Sequence, residues 1–388
     1  MSEVAQVPQL RFPEFNGDLE EKKLDDVGSF KSGTGFTEAE QGGKSGVPFF
    51  KVSDMNLEGN QKVMVSANNY VNDEQIARLN YKPINKKSVI FAKVGAAVFL
   101  ERKRIADSFL IDNNMMAFTP TEDIDFIRQW FDTVRLSKYA QVGALPSYNA
   151  SDLKTIKINL PSLPEQTKIA NFLAAVDTKI EQLSKKQALL GEYKKGLMQQ
   201  IFSQATRFKA DDGSEFPDWE EKKLGGVGRI RKGSQLNKSE LTDTGDYPAI
   251  NGGINPSGYT DKWNTGKNTI TISEGGNSCG YINFITSKFW SGGHCYSIEE
   301  LKGDVLNRFL FQYLKFNEHL IMRLRVGSGL PNIQKGEINN FKVNLPSLEE
   351  QTKIANLLSS IDSKIEQVGK QLRESKQFKK ALLQQMFV

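Results

Sequence analysis

LPSLPEQTKIAN, residues 160–171, returns as LPSLEEQTKIAN at residues 345–356, with Glu349 standing where Pro164 stood. The offset is 185 residues, about half of a 388-residue chain. A second echo leads into each half. FPEFNGDLEEKKLDDVGSFKSG starts at Phe12 and FPDWEEKKLGGVGRIRKG at Phe216, which aligns Val27, Gly28 and Gly33 with Val227, Gly228 and Gly233. Each half therefore runs lead phrase, body, LPSL phrase and lysine-rich tail. Solenoid units span only about 20 to 50 residues, so this is a duplicated domain pair rather than a repeat array.

The tails have the clearest pattern. Ser162 with Glu165, and Ser347 with Glu350, have the S-x-x-E spacing of a helix capping box. Beyond each cap, apolar residues recur at steps of three and four: Ile169, Leu173, Val176, Ile180, Leu183, Leu190, Leu197 and Ile201, then Ile354, Leu358, Ile361, Ile365, Val368, Leu372, Leu382 and Met386. Gln187 and Lys194 interrupt the first seam; Ser375 and Lys379 interrupt the second. Two helices of about 38 residues, near 57 Å each, are too long to be covered by a domain of this size. The expectation is an antiparallel pair with the two domains at opposite ends of a rod. The alternative, two amphipathic helices each lying on its own body, stays open.

The bodies, roughly 25–158 and 225–343, read as mixed α/β. Strands are predicted at VPFFKV from Val47, SVIFAKV from Ser88 and MMAF from Met115, with a helix around Asp123 to Arg135. The second body is similar but richer in glycine, and NTITISEGGNSCGYINF from Asn268 aligns with NKKSVIFAKVGAAVFLE from Asn85 less closely than the flanking phrases do. The bodies have diverged inside a common frame.

Composition sets the class. Hydrophobic residues at 38% and charged residues at 25% describe a soluble globular chain. The 51 Lys and Arg against 46 Asp and Glu give +5, which permits a polyanionic partner without establishing one. Cys279 and Cys295 make no CxxC pair and no disulfide framework, the start MSEVAQVPQLRFPEF has no apolar signal region, and no run approaches a membrane span. A cytoplasmic protein with no membrane association is expected.

Catalytic constellations fail one after another. QGGKSG at Gln41 would need glycine at 38 to make a phosphate loop, and Glu38 stands there. INPSGY at Ile254 resembles the loop that holds the target amine in amino-methyltransferases, but Ser257 and Gly258 disturb it. Asp218, Glu220 and Lys222 in PDWEEKK read as a solvated surface, and His294 beside Cys295, with His319 elsewhere, supplies no four-ligand zinc site. The chain reads as non-catalytic, with no metal site.

The paired LPSL phrases with their long helices, preceded by FPEF…EEKKL and FPDWEEKKL, resemble the bacterial type I restriction-modification specificity subunit over nearly the whole chain. That resemblance implies an α+β fold: two mixed α/β target-recognition domains separated by a long antiparallel helical coiled-coil pair, with a pseudo-twofold internal repeat. The corresponding segments are 1–159 and 205–344 for the recognition domains, and 160–204 and 345–388 for the helices. It also implies that each domain reads one half of a bipartite double-stranded DNA site across an unread spacer. The implied partners are two methyltransferase (modification) subunits carrying S-adenosylmethionine, and restriction/translocase subunits using ATP and Mg, with no cofactor in this chain.

Base reading needs Arg or Lys for guanine and Asn or Gln for adenine, with further cations on phosphates. The candidates in or beside predicted loops are Lys31, Lys51, Lys93, Arg102, Lys103, Arg104, Tyr148 and Asn149 in the first body, and Arg231, Lys232, Asn251, Asn255, Tyr259, Lys262, Asn277 and Asn332 in the second. For each, an ordinary solvated surface residue is the competing reading. Arg102 to Arg104, three cations after an apolar strand, form the densest cluster. Faces for the methylating subunits are expected in duplicate at the helix starts, on Gln166, Lys168, Asn171 and Asp177 and their twins Gln351, Lys353, Asn356 and Asp362. Helix capping or interhelical contacts explain the same residues. A coiled-coil protein-interaction scaffold that binds no nucleic acid is the rival from another class.

Overall fold

The computed structural model describes residues 7–141, 143, 145–327, 329 and 331–387; Ala144, which the 185-residue offset pairs with Gly329, and the first six residues lie outside them. The chain divides into two compact units, Met1–Leu183 with Gln371–Val388, and Ser184–Lys370. Each unit thus takes a part of both long helices, so the compact bodies cut across the helical segments marked out by the sequence.

In the first unit, β1 (Glu20–Lys23) pairs antiparallel with the last strand, β9 (Lys157–Leu160). Between them, β2 (Gly28–Ser32), β8 (Met115–Pro120), β5 (Ser88–Ala92) and β6 (Lys103–Ala106) form an antiparallel four-stranded sheet in that order. A smaller sheet sets β3 (Val47–Phe50) between β4 (Tyr70–Val71) and β7 (Leu110–Ile111), with β3 and β7 parallel. The predicted strands from Val47, Ser88 and Met115 are present, and the predicted helix is Ile124–Thr133.

The central strands are buried on both faces, and their alternation sorts side chains between two cores. Val89, Phe91, Met116 and Phe118 join Phe126, Ile127 and Phe131 of the helix. Ile90, Met115 and Ala117 join Phe50, Phe109 and Ile111 on the other face.

The second unit repeats this topology strand for strand. β10 (Glu220–Lys223) pairs with β18 (Lys342–Leu345). The larger sheet runs β11 (Arg229–Lys232), β17 (Cys295–Glu299), β14 (Thr269–Ser273), β15 (Ile282–Ile285). The smaller runs β13 (Tyr259–Thr260), β12 (Tyr247–Ile250), β16 (Trp290–Ser291). Ala92 faces Met115 and Ser273 faces Cys295, which aligns β5 with β14 two residues away from the alignment read from the sequence. A slip of two preserves which face each residue takes, so the hydrophobic pattern could not reveal it. One face of β14 has turned polar, with Thr269, Thr271 and Ser273 all buried, and this is why the bodies look less alike than they are.

The long helices are Leu163–Phe202 and Leu348–Met386. In the first unit, Ile169 and Leu173 near the start of the first helix share the body core with Leu382 and Met386 near the end of the second. In the second unit, Met198, Ile201 and Phe202 near the end of the first helix share the core with Ile354 and Leu358 near the start of the second. Within each unit the helix segments are therefore antiparallel, and they rest on the body as well as on each other. Among the described residues no helix is long and apolar enough to cross a membrane.

Candidate nucleic-acid interface

The repeated phrase works first as a joint. Glu165 and Glu350 do not fold back as capping-box acids. Both are buried carboxylates, and each is held by an arginine of the segment leading into its unit. Arg11 donates to Glu165 through Nε and Nη2 at 2.7 and 2.8 Å; Arg207 donates to Glu350 at 3.3 and 2.8 Å, joined by Trp219 Nε1 at 3.2 Å. A buried charge needs a charged partner more than a helix end needs a second cap, and only Ser347 Oγ retains the capping role, accepting from Glu350 N at 3.3 Å. The next residue docks the neighbouring helix. Gln166 donates to Pro161 O and Glu122 and accepts from Asp123 N; Gln351 donates to Pro346 O and Asp304 O and accepts from Leu306 N.

Further along, Asp177 accepts from Lys379 at 2.9 Å and from Gln129 at 3.1 Å, while Asp362 accepts from Lys194 at 2.7 Å and from Gln312 at 2.7 Å. The lysines that interrupt each seam thus meet an aspartate of the other helix. Burial pushes the Asp177 carboxyl up, but hydrogen bonds from Lys379 and Gln129 and the nearby charge of Lys62 outweigh it and leave the group below its usual range. Lys168 pairs with Glu14, and Lys353 with Asp211. Of the eight residues expected at partner faces, six are engaged within their own unit, and Asn171 and Asn356 are exposed.

At one end of each large sheet, β2 and β11 finish in a glycine that the fold cannot replace. A Cβ on Gly33 would sit 1.7 Å from Asp112 O; on Gly233 it would sit 2.2 Å from Gly292 O. An antiparallel bridge lies beside it, joining Gln141 to Ser147 in the first unit and Val326 to Asn332 in the second. Here the first unit brings Lys93 Nζ to within 3.3 Å of Ser32 Oγ, with exposed Asn149 nearby in sequence after Tyr148, whose N–H donates to Lys93 O. The second unit sets Lys232 against Glu274, with Asn332 bridged to the adjacent Gly275, Asn251 accepting from His294 N, and Asn277 in the short turn Gly276–Ser278 that follows. The buried Glu274 carboxylate accepts from Lys232 Nζ at 2.5 Å and Tyr296 Oη at 3.0 Å, with His294 Nδ1 3.6 Å away. Burial, followed by that carboxylate, raises the Tyr296 phenol well above its ordinary value.

A family model for the type I restriction modification DNA specificity domain matches residues 16–190 and 217–374. The chain belongs to this family. It is 27% identical over 381 residues to a provisionally named MjaX type I specificity subunit of Methanocaldococcus jannaschii, covering 90% of this chain and 88% of that one. It is 31% identical over 172 residues to a provisionally named type I specificity subunit of Mycoplasma pneumoniae, covering 44% of this chain and 46% of that one. A crystal structure of the type I restriction-modification S subunit from M. genitalium superposes with a TM-score of 0.70 at 19% identity, over 99% of both chains. A chain from a structure describing complex assembly and conformational transition of the type I R-M system superposes at 0.54 and 17% identity, over 95% and 97%. These likenesses establish the fold.

The specificity-domain fold does not expose every residue marked as a reader. Tyr148 is 1% exposed and packs edge-on against Phe91; its aromatic body outweighed its place beside a loop. Lys103 is 3% exposed and donates to Glu101 and to Val134 O, Arg104 donates to Asn60 O and Lys103 O, and Arg102 to Asn56. The ERKR cluster is thus largely tied into its own unit instead of lying free on a hairpin tip. Arg231 is held by Glu299, Asn264 O and Thr265, and Lys51 by Gln41. Lys31 donates to Lys82 O, and burial together with the Lys82 charge lowers its pKa. Lys262 pairs with Glu240, and Asn255 and Tyr259 are exposed on the β12–β13 side. The residues that reasoning from sequence missed are Glu274 and His294: the first is an acid among expected cations, and the second, weighed only against a zinc site that it does not make, reads from sequence as packing.

Proposed function

We propose that this chain is the sequence-reading subunit of a type I restriction-modification complex, in which each unit reads one half of a bipartite double-stranded DNA site and the helices set the unread spacer. The supporting observation is the duplication itself: two bodies of the same strand order, each joined to the long helices by the same Arg–Glu, Gln and Lys–Asp contacts. Two like readers on one frame suit two half-sites. The duplicated frame also suits two modification subunits. By analogy with the complex to which its structural relative belongs, restriction/translocase subunits join them. On this reading S-adenosylmethionine, ATP and Mg act on those partners, this chain carries no catalytic residue, and the complex works in the cytoplasm.

The test is modification profiling of a host genome carrying this chain with its modification subunits. The expected result is a split motif, two short specific blocks separated by a fixed unread gap. A single contiguous motif, or none, overturns the reading. The rival scaffold function would leave the chain without the salt-dependent duplex affinity that phosphate contacts impose.

A further inference from the structure

Four positions at one end of the large sheet carry different chemistry in the two units, and strand register makes them equivalent without any sequence alignment. Ser32 faces Met116, and Lys232 faces Tyr296. Lys93 follows β5 and donates its N–H to Asn114 O at 2.7 Å; Glu274 follows β14 and donates its N–H to His294 O at 2.9 Å. The N–H of Tyr148 bonds Lys93 O at 3.1 Å, and that of Ile333 bonds Glu274 O at 2.8 Å. The backbone is thus superimposable in its hydrogen bonds, while Ser, Lys, Asn and Met have become Lys, Glu, His and Tyr.

In each unit this exchange leaves one ammonium between the same two backbone positions, delivered from different strands. Lys93 reaches out from the central strand in the first unit. In the second, the central strand carries Glu274 instead, and Lys232 crosses from β11 to meet it. Lys232 is 52% exposed, whereas Glu274 is 8% exposed. A buried carboxylate with hydrogen bonds from Tyr296 and Lys232 anchors one end of the ammonium and leaves the rest of its donor set facing solvent.

We infer that Lys93 and Lys232 are the equivalent specificity-determining cations of the two units, each offered to the O6/N7 acceptor edge of a guanine in a duplex major groove, and that Glu274 is the positioning residue for Lys232. The inference rests on the proposed reading of split DNA sites. A change of chemistry at these four positions, inside a frame whose glycines and backbone bonds are retained, is what two readers of different half-sites require.

The test uses the full chain assembled with its modification subunits, as wild type and as Lys93→Met, Lys232→Met and Glu274→Gln, with methylated motifs profiled and folding checked by thermal denaturation. Lys93→Met is expected to relax one base of the first half-site by roughly tenfold or more and leave the second unchanged. Lys232→Met is expected to relax one base of the second half-site only, and Glu274→Gln the same base to a smaller degree, because an amide still accepts from Lys232. A merely structural role would depress methylation at every site alike, and that outcome overturns the inference. So does an unaltered motif in all three variants while the wild type retains its split site. A wild type without a split site removes the underlying reading instead.

Discussion

Lys379 reaches Asp177 at 2.8 Å with both side chains largely buried, and Lys194 reaches Asp362 at 2.7 Å at the position 185 residues away. Both lysines interrupt a largely apolar seam, so each pair fixes where its helix segments sit against each other, as buried polar residues do in coiled coils. Removing one partner leaves the other, in a partly dry site, with only a more distant opposite charge, Lys62 at 3.8 Å for Asp177 and Asp132 at 4.0 Å for Lys379. Asp177→Asn and Lys379→Met should each cost about 2 kcal/mol in urea unfolding, and the exchange Asp177→Lys with Lys379→Asp should recover part of that loss. An exchange no better than the sum of its singles would refute the pairing.

The same aspartate sets a pH dependence. Its carboxyl is held below the ordinary range by Lys379, Gln129 and Lys62 in excess of its burial penalty. A depressed folded-state value means that the stabilisation is complete above the unfolded value of about 3.9 and is lost as pH falls through the folded value. The stability gap between wild type and Asp177→Asn should therefore hold from neutrality to about pH 5 and close under more acid conditions. Denaturation curves measured across that range check it, and a gap that widens with acidification would contradict the sign.

Much of this architecture was legible because it was written twice. The LPSL phrases located both long helices, and the apolar steps of three and four marked Leu173, Leu358 and Leu382, all of which are buried. The strands from Val47, Ser88 and Met115 followed from their β-branched and aromatic runs. What sequence could not give was the direction of individual polar side chains. Glu165 and Glu350 satisfied a capping spacing, yet pairing with Arg11 and Arg207 across more than 140 positions won, since buried charge outranks a helix end. Lys103 and Tyr148 looked like surface residues because neighbours in sequence were polar; the distant groups that bury them, Val134 and Phe91, come from the folded unit. Glu274 was invisible for the opposite reason: its equivalence to Lys93 appears only when β14 is aligned with β5 by strand register.

Lys103 offers a direct contrast between a structural cation and the cations proposed to meet DNA. Its ammonium is 2.6 Å from Glu101 Oε2 and 3.0 Å from Val134 O, and Glu101 also accepts the N–H groups of Leu136 and Ser137. Lys103→Met should destabilise the protein by about 2 kcal/mol through the unpaired acid, without altering the salt dependence of duplex binding. A shallower slope of affinity against salt would show that the ammonium does reach phosphate.

Gly33 should tolerate no side chain. The site left for a Cβ lies 1.7 Å from the carbonyl oxygen of Asp112, in backbone that also takes part in the β3–β7 side of the unit, so relief requires separating strands. Gly33→Ala is expected to cost more than about 3 kcal/mol, in the range reserved for steric disruption of a core. Gly35→Ala, where the added carbon meets nothing within 4 Å, serves as the control in the same thermal melt. Equal melting temperatures for the two would refute the close approach.

The last prediction concerns the helices as a measure of spacer length. A heptad repeat can be extended by seven residues without turning its apolar seam away from its partner, so one heptad added to each helix, after Leu183 and after Val368, keeps the Lys–Asp pairs intact on both sides. Seven residues at 1.5 Å each lengthen a helix by about 10 Å, which is roughly three base pairs of duplex. Under the proposed function the methylated motif of the extended chain should keep both half-site sequences and gain about three unread positions between them. Adding the heptad to one helix alone breaks the match between Asp177 and Lys379 or between Lys194 and Asp362, and should destabilise the chain instead of lengthening the gap. If the doubly extended chain methylates with its original spacing, or reads different half-sites, the helices do not set the distance between readers.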